Sequence, residues 1–311
     1  NSYAAYFNAS YDLTDDLTVG GGLRYSKDEK DANAIFPSFP TRKYVSADFD
    51  AVTWDVNASY QLSNNMNVYG QIQKGYQTGG FPPRPFGGPD QFVSFDETKA
   101  VNYEMGLKGQ VHENVSMMLA VFVTDYTDLA LPFSDPTAGG GFVTIVENAG
   151  QSKAQGIELE TTVAITDDFT IRSAVGYLDS EITEVAEGVQ GIGKGDSPAL
   201  TPRWTVMVAP SYFMDLESGA TLAFNANYSY RSEMQGQSVY NQSETIDSRE
   251  LVGFNISYTN PYGDMEVTLY GENVLNEVYD VGRLQQSGFV GVMRSNDRSE
   301  FGLKFKKDFE L

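Results

Sequence analysis

An alternation of apolar and polar residues with a period of two runs through most of the chain, and this pattern predicts β-strands rather than helices. Residues 221–231, for example, place Leu222 and Phe224 on one face and Asn225 and Asn227 on the other. Dividing the chain at its turn residues predicts thirteen strands. They span residues 3–11, 17–27, 49–60, 66–76, 97–109, 115–126, 150–164, 169–179, 203–213, 220–231, 249–259, 264–274 and 299–309.

The connections between these strands alternate strictly between short and long. The short ones are 12–16, 61–65, 110–114, 165–168, 214–219 and 260–263. The long ones are 28–48, 77–96, 127–149, 180–202, 232–248 and 275–298. Short turns on one side and long loops on the other are typical of outer-membrane barrels, whereas a soluble propeller or solenoid would show a repeat period, which the sequence lacks. The pattern therefore predicts an all-β fold, a transmembrane antiparallel β-barrel in the outer membrane.

Charge and composition argue against several other functions. The chain has 42 acidic and 21 basic residues and a net charge of −21, which argues against a nucleic-acid partner. It has no cysteine, and its one histidine, His112, falls in a predicted short turn, so neither a Ser-His-Asp triad nor a histidine-rich metal site is expected. The longest apolar run, residues 117–123, is far shorter than the roughly 20 residues of a membrane-spanning helix. We therefore expect no enzyme activity and no cofactor.

Thirteen is an odd number of strands, whereas single-chain bacterial barrels normally have an even number. If the short turns are periplasmic, the first predicted strand begins outside the cell and the last ends in the periplasm. An intact barrel begins and ends on the same side. We therefore expect residues 1–311 to be the C-terminal portion of a larger barrel whose N-terminal part lies outside this sequence.

Five groups of short motifs occur in order along nearly the whole chain. They are KGYQTGGF at 74–81, ET at 97–98 with YEMGLK at 103–108, NAG at 148–150 with GIELE at 156–160, TPRW at 201–204, and GENVLN at 271–276 followed by Tyr279. Together they resemble the C-terminal barrel of TonB-dependent outer-membrane receptors. The resemblance implies a 22-stranded barrel of the plugged type, of which these are the last thirteen strands, with a plug domain and a TonB box upstream. The chain departs from the family at its end, where Phe309 is followed by Glu310 and Leu311 rather than closing on an aromatic residue.

Aromatic and cationic side chains in three of the long loops are the best candidates for substrate contacts. They are Phe81, Arg84 and Phe86 in loop 77–96, Tyr240 in loop 232–248 and Arg283 in loop 275–298. Aromatic rings and an arginine at a barrel mouth are suited to a flat or anionic ligand. The alternative is that these residues only fold the loops over the barrel or, for Arg283, contact lipopolysaccharide.

Two acidic residues, Glu158 and Glu160, alternate with Ile157 and Leu159 and are therefore predicted to point into the lumen. A hydrated polar wall of this kind is normal for a barrel interior. The functional alternative is contact with the plug domain or with the substrate.

The resemblance implies active uptake of a scarce nutrient, driven through TonB and its inner-membrane motor without a cofactor. Family frequency favours a ferric siderophore as the substrate, while cobalamin, haem and oligosaccharides stay open. A passive porin-type channel is the second hypothesis. An outer-membrane enzyme is the third, and the position of His112 on the predicted periplasmic side argues against it. Outer-membrane lipid and lipopolysaccharide are the remaining expected partners.

Overall fold

A computed structural model of the chain describes residues 1–36, 39–82, 92–135, 143–187, 192–236, 245–286, 289–295 and 297–309. These residues form seventeen β-strands. In chain order they are β1 (Ser2–Asp12), β2 (Leu17–Phe36), β3 (Phe39–Ser63), β4 (Met66–Gln77), β5 (Thr98–His112), β6 (Val115–Asp135), β7 (Val143–Ala164), β8 (Phe169–Val185), β9 (Trp204–Asp215), β10 (Thr221–Arg231), β11 (Met234–Gln235), β12 (Thr245–Ile246), β13 (Arg249–Thr259), β14 (Met265–Glu272), β15 (Asp280–Gln286), β16 (Phe289–Arg294) and β17 (Glu300–Lys307).

Thirteen of these strands form one antiparallel sheet in which neighbours along the chain pair with each other, in the order β1 to β10, then β13, β14 and β17. The thirteen predicted strands are therefore confirmed. The pair β11–β12 and the pair β15–β16 form two separate small hairpins inside long connections. All the short turns lie at one end of the sheet. We call the opposite end, from which connections 78–97, 186–203, 232–248 and 273–299 leave, the long-loop rim.

The alternation gives the sheet two chemically different faces. One row of directly paired residues reads Ala58, Gly70, Met105, Val121, Ile157, Tyr177 and Trp204, and it belongs to what we call the apolar face. The adjacent row begins Asn57, Gln71, Glu104 and belongs to the polar face. Large side chains on the apolar face are exposed, with Met105 at 58% and Ile157 at 48%. An exposed apolar surface of this extent marks a contact with a protein or with a membrane. Contact with lipid is what the predicted outer side of a barrel requires.

The predicted long loops 28–48 and 127–149 are wrong, because strands occupy most of both ranges. β2 and β3 continue as a paired ribbon from the Leu17–Tyr60 pair to the Phe36–Phe39 pair. In the same way, β6 continues to Asp135 and β7 begins at Val143. β8 continues to Val185, inside the predicted loop 180–202. Alternation fails to detect these extensions because strand segments beyond the lipid-facing band need no continuous apolar stripe.

Aromatic rings lie directly opposite glycines at five points in the sheet. The pairs are Tyr69–Gly106, Phe122–Gly156, Phe254–Gly271, Phe301–Gly271 and Tyr270–Gly302. A Cβ built on Gly106 would lie 2.5 Å from the Tyr69 ring, and one on Gly156 would lie 2.6 Å from the Phe122 ring. Each ring therefore occupies the space that a side chain on the opposite residue would need.

The buried apolar cluster of the described residues lies at the long-loop rim. Leu131, Ala149, Ile182 and Ile192 pack together there, and Ala149 and Ile182 are each only 2% exposed. The cluster joins the extensions of β6, β7 and β8 to the connection that follows β8. It gives this part of the rim a small core of its own, separate from the apolar face.

Candidate functional site

A cleft of about 520 Å³ opens on the polar face of β4 to β7. Glu104 lines it and accepts hydrogen bonds from Tyr69 Oη at 2.9 Å, Gln71 Nε2 at 3.0 Å and Asn102 Nδ2 at 3.4 Å. Glu158 lines the same cleft, and its carboxylate accepts no hydrogen bond from the described residues. The cleft therefore combines one carboxylate fixed by neighbouring donors with one whose acceptor capacity is still available.

The structure places both predicted luminal acids on the polar face. Glu158 pairs with Ala120 and lies in the cleft, whereas Glu160 pairs with Met118, two residues nearer the short-turn end, and does not line the cleft. Both side chains are exposed. Their contact with substrate or plug stays a prediction.

The predicted aromatic loop 77–96 is only partly described. Phe81 stacks obliquely on Phe92, with the ring centroids 5.9 Å apart, and Phe92 is 3% exposed. This contact joins the two described ends of the loop. Arg84 and Phe86 lie outside the described residues, as does Tyr240 in loop 232–248, so their predicted ligand contacts stay predictions.

Arg283 lies in the β15–β16 hairpin and is held by a buried carboxylate. Its Nε and Nη2 donate to Asp280 Oδ2 at 2.9 and 2.7 Å, and Arg294 Nε donates to Asp280 Oδ1 at 3.0 Å. A longer contact of 3.5 Å joins Arg283 Nη2 to Asp247 at the end of loop 232–248. Arg283 thus fastens two long loops together at the rim, and its predicted role in substrate binding stays a prediction.

The Asp280 carboxyl is ionised in this arrangement. Burial raises its pKa, but hydrogen bonds from Arg294 and Arg283, together with their positive charges, outweigh the burial and hold the pKa below its ordinary value. The hairpin therefore carries a buried anion that is neutralised by two arginines of its own.

Sequence reasoning missed a second pair of arginines at the same rim. Arg231 ends β10 and Arg249 begins β13, and the two residues are directly opposite each other. Because Asn225 and Asn255 also face each other in this register, both arginines belong to the polar face. The available signal was that both strands carry arginine at the end that borders the same long loop, 232–248.

Sequence reasoning also assigned no role to Asn148 of the NAG motif. Its Nδ2 donates to the carbonyl oxygens of Asp96 at 3.0 Å and Asp128 at 2.7 Å, and its Oδ1 accepts from the Asp96 amide at 2.7 Å. Thr98 Oγ1 donates to the same Asp128 carbonyl at 3.0 Å. The motif residue therefore clamps the end of connection 78–97 to the β6–β7 ribbon.

Asn273 of the GENVLN motif holds the two ends of the last long connection, 273–299, together. Its Nδ2 donates to the carbonyl oxygens of Glu277 at 2.9 Å and Asp297 at 2.8 Å, while its Oδ1 accepts from the Glu277 amide at 2.9 Å. Asn273 is buried and has a φ of 45°, a left-handed conformation that asparagine tolerates better than most residues. Two motifs that carry the family resemblance are thus anchors of loops at the rim.

Within the described ranges, no group of three or more His, Cys, Asp or Glu residues is arranged to hold a metal ion. No helix in those ranges is long and apolar enough to cross a membrane.

Comparison with known proteins agrees with the fold. Residues 1–276 match the family model described as TonB dependent receptor-like, beta-barrel. The chain is 30% identical over 230 residues to the pesticin receptor of Yersinia enterocolitica, an alignment that covers 68% of this chain and 33% of the receptor. The chain therefore spans about a third of the length of this relative.

Solved structures show the same architecture over almost the whole chain. The ferric yersiniabactin uptake receptor FyuA from Yersinia pestis superposes with a TM-score of 0.82 and 20% identity, covering 99% of this chain and 46% of that receptor. The siderophore receptor PiuA from Acinetobacter baumannii superposes with a TM-score of 0.78 and 20% identity, covering 99% of this chain and 43% of that receptor. The thirteen-stranded sheet, its apolar face and its long-loop rim are thus those of a barrel segment, and the chain belongs to the TonB-dependent receptors, β-barrel proteins of the Gram-negative outer membrane.

Proposed function

We propose that the chain is the C-terminal portion, residues 1–311, of a receptor barrel that takes up a ferric siderophore in a TonB-dependent manner. The observation that carries the proposal is the long-loop rim, where side-chain clamps hold the loops in place above a polar cleft. Asn148 fastens one long connection by two hydrogen bonds to Asp96, and Asn273 fastens another by three, to Glu277 and Asp297. Loops fixed in this way present a preformed surface, which lowers the entropic cost of binding a ligand.

The polar face supplies the second part of the proposal. Its cleft holds Glu104 and Glu158 among amide and hydroxyl groups, which suits contact with a polar substrate or with a plug domain inside the lumen. Predicted substrate contacts are Phe81, Arg84, Phe86, Tyr240, Arg283, Glu158 and Glu160. The expected partners are TonB with its inner-membrane motor, engaged through a region outside residues 1–311, and outer-membrane lipid and lipopolysaccharide. Transport of this kind needs neither catalysis by the chain nor a cofactor.

The test is uptake of radioactive iron by a Gram-negative host that lacks its own siderophore receptors and expresses the complete receptor. A panel of ferric siderophores, with cobalamin, haem and an oligosaccharide as alternative substrates, is offered to cells with and without TonB. We expect accumulation of one ferric siderophore only in the cells that have TonB. Uptake that is independent of TonB would contradict the proposal and favour a passive channel.

A pair of matched variants tests one proposed loop contact while leaving the barrel intact. Arg84→Ala is compared with Arg172→Ala, which changes an exposed arginine on the polar face close to the short-turn end. Loss of uptake in the Arg84 variant alone supports binding at the long-loop rim. Equal uptake by both variants removes Arg84 from the proposed substrate contacts.

A further inference from the structure

A groove of about 630 Å³ crosses the apolar face of β2 to β6. Its floor is formed by two small residues that are direct cross-strand partners, Ala58 and Gly70, and its walls by larger side chains that include Val56, Ile72 and Met105. A Cβ built on Gly70 would lie 3.9 Å from the Glu104 carbonyl oxygen, its nearest described neighbour apart from the adjacent residues. The space above this glycine is therefore open.

The shape and direction of the groove suit an acyl chain. It lies on the lipid-facing side of the sheet and extends from Val19 on β2 to Val121 and Val123 on β6. Four strand spacings of about 4.8 Å make it roughly 19 Å long. Because the strands of an outer-membrane barrel are tilted, a groove that crosses them runs obliquely into the membrane.

Lys74 lies next to the groove on the side of the long-loop rim. It follows Ile72 by two residues on β4, so it lies on the same face, about 7 Å further out. Its direct partners are Trp54 on β3 and Val101 on β5, both apolar. It forms no ion pair and no hydrogen bond with any residue that the structure describes. Lys74 is thus a cation on the lipid-facing surface without a counter-ion in the described part of the chain.

Aromatic rings mark the height of Lys74 relative to the membrane. Trp54 lies in the same cross-strand row as Lys74, and Tyr103 lies opposite Ile72, two residues further in. Both rings are exposed on the apolar face. Exposed Trp and Tyr side chains are typical of the membrane–water interface. Lys74 therefore lies at the level of the lipid headgroups.

The acids near Lys74 in the sheet are distant or engaged. Asp125 on β6 is the first carboxylate of the same row, two strands and about 10 Å away. Lys99, the diagonal neighbour of Lys74 on β5, already pairs with Glu97 and Asp128, each at 3.2 Å. A lysine at the interface can keep its stem on apolar surface while its amine reaches the headgroups. A lipid phosphate is the counter-ion available to Lys74 in that position.

We propose that Lys74 and the groove beside it form a binding site for lipopolysaccharide on the outer surface of the barrel. The Lys74 ammonium binds a phosphate of the lipid A moiety, and one acyl chain occupies the groove over Gly70. Long loops of outer-membrane barrels are extracellular, so Lys74 meets the outer leaflet, whose phosphorylated lipid is lipopolysaccharide. The proposal deepens the proposed function, on which it rests for lipopolysaccharide as a partner.

The test is native mass spectrometry of the complete receptor in detergent, titrated with bisphosphorylated lipid A. Phosphatidylglycerol, which is anionic, and phosphatidylethanolamine, which is zwitterionic, are titrated in parallel. The variants are Lys74→Gln and Gly70→Leu, whose new side chain starts in the open space of the groove. The matched control is Lys153→Gln, because Lys153 lies in the same row but directly between Asp125 and Glu181.

We expect the wild-type receptor to retain one tightly bound lipid A. The apparent Kd should rise by about tenfold or more in Lys74→Gln, which loses a charged hydrogen-bond donor, and by about tenfold in Gly70→Leu, which fills the groove. Lys153→Gln should bind lipid A like the wild type, because two carboxylates flank Lys153 and repel a phosphate. An unchanged affinity in either Lys74→Gln or Gly70→Leu would overturn the proposal.

The remaining outcomes are also decisive. Equal losses in Lys74→Gln and Lys153→Gln would indicate unspecific attraction of anionic lipid and would overturn the site. Phosphatidylglycerol that binds as tightly as lipid A would overturn the assignment to lipopolysaccharide. Lipid binding by the purified receptor needs neither TonB nor transport. If lipid A binds as expected but iron uptake is independent of TonB, the lipid site stands and the proposed function fails, so the two failures are distinguishable.

Discussion

Asn273 offers a direct test of the idea that motif residues anchor the loops at the rim. Replacing it with alanine removes three side-chain hydrogen bonds, to Glu277 twice and to Asp297 once. The loop between β14 and β17 should then open more often, because the other side-chain bonds between its two ends, Tyr279 Oη to Asp297 at 3.2 Å and the Ser299 amide to Asn276 Oδ1 at 3.3 Å, are longer and lie nearer the surface. Tyr279, which lies under Arg249, is part of that loop.

The size of the effect follows from the contacts. Three hydrogen bonds at about 1 kcal/mol each amount to a loss of about 3 kcal/mol. Alanine also has to adopt the φ of 45° that Asn273 adopts, which adds about 1–2 kcal/mol. Asn273→Gly loses the bonds without this backbone cost, so the glycine variant should be destabilised less than the alanine variant.

Amide hydrogen exchange on the complete receptor in detergent measures this local opening. Useful probes are the Asn276 amide, bonded to the Asn273 carbonyl at 2.8 Å, and the Ser295 amide, bonded to the Tyr279 carbonyl at 2.9 Å. A loss of about 3 kcal/mol should speed their exchange by roughly a hundredfold. The control is Asn225→Ala, which removes a single side-chain bond to Asn255 at 2.9 Å. Acceleration of less than about threefold in both Asn273 variants would refute the anchor.

Three further predictions concern the sheet, the rim and the loop beyond it. Gly156→Ala should lower the free energy of unfolding in guanidinium titrations by about 1–3 kcal/mol, because the new Cβ would meet the Phe122 ring. The control is Gly75→Ala, because a Cβ at Gly75 would meet open space. Equal stability of the two variants would contradict the prediction. Asp280→Asn should lower thermal stability at pH 7, and the difference from wild type should shrink towards pH 3. The reason is that a carboxyl with a depressed pKa stabilises the fold above its unfolded pKa of about 3.9 and loses this effect as the pH falls through its folded pKa; a difference that stays constant with pH would speak against an ionised Asp280. Arg84→Ala should weaken substrate binding by about 1–3 kcal/mol in equilibrium titrations if Arg84 pairs with a buried anionic group, and unchanged affinity would remove it from the site.

The paired part of the fold could be predicted from sequence because lipid imposes a pattern on it. Wherever a strand crosses the apolar band, alternate side chains must be apolar, and all thirteen strands show this. Above the band that requirement ends. In the outer half of the β2–β3 ribbon, the row that continues the apolar face becomes charged, with Lys27 opposite Asp50 and Glu29 opposite Asp48. Its sequence therefore looks like a loop although its backbone stays paired.

The site was less predictable because it depends on register. Glu158 and Glu160 could be assigned to a face by counting residues, but only Glu158 reaches the cleft, and that depends on which residues of β5 and β6 lie opposite it. Arg231 and Arg249 are 18 positions apart in the sequence, and only strand pairing reveals that they face each other. Asn148 and Asn273 were visible as motif residues, yet their hydrogen-bond partners lie in distant connections.

The rings opposite glycines have a consequence for how such a sheet assembles. If one strand slips past its neighbour by two residues, every side chain keeps its proper face, so the alternation does not disfavour the shifted register. A ring opposite a glycine does disfavour it. Slipped by two, Tyr69 would face Glu104 or Lys108 instead of Gly106, and the space it needs would be taken. The same holds at the junctions of β6 with β7, β13 with β14 and β14 with β17. We therefore expect these pairs to favour the native alignment over one shifted by two residues, because only the native one places a glycine opposite each ring.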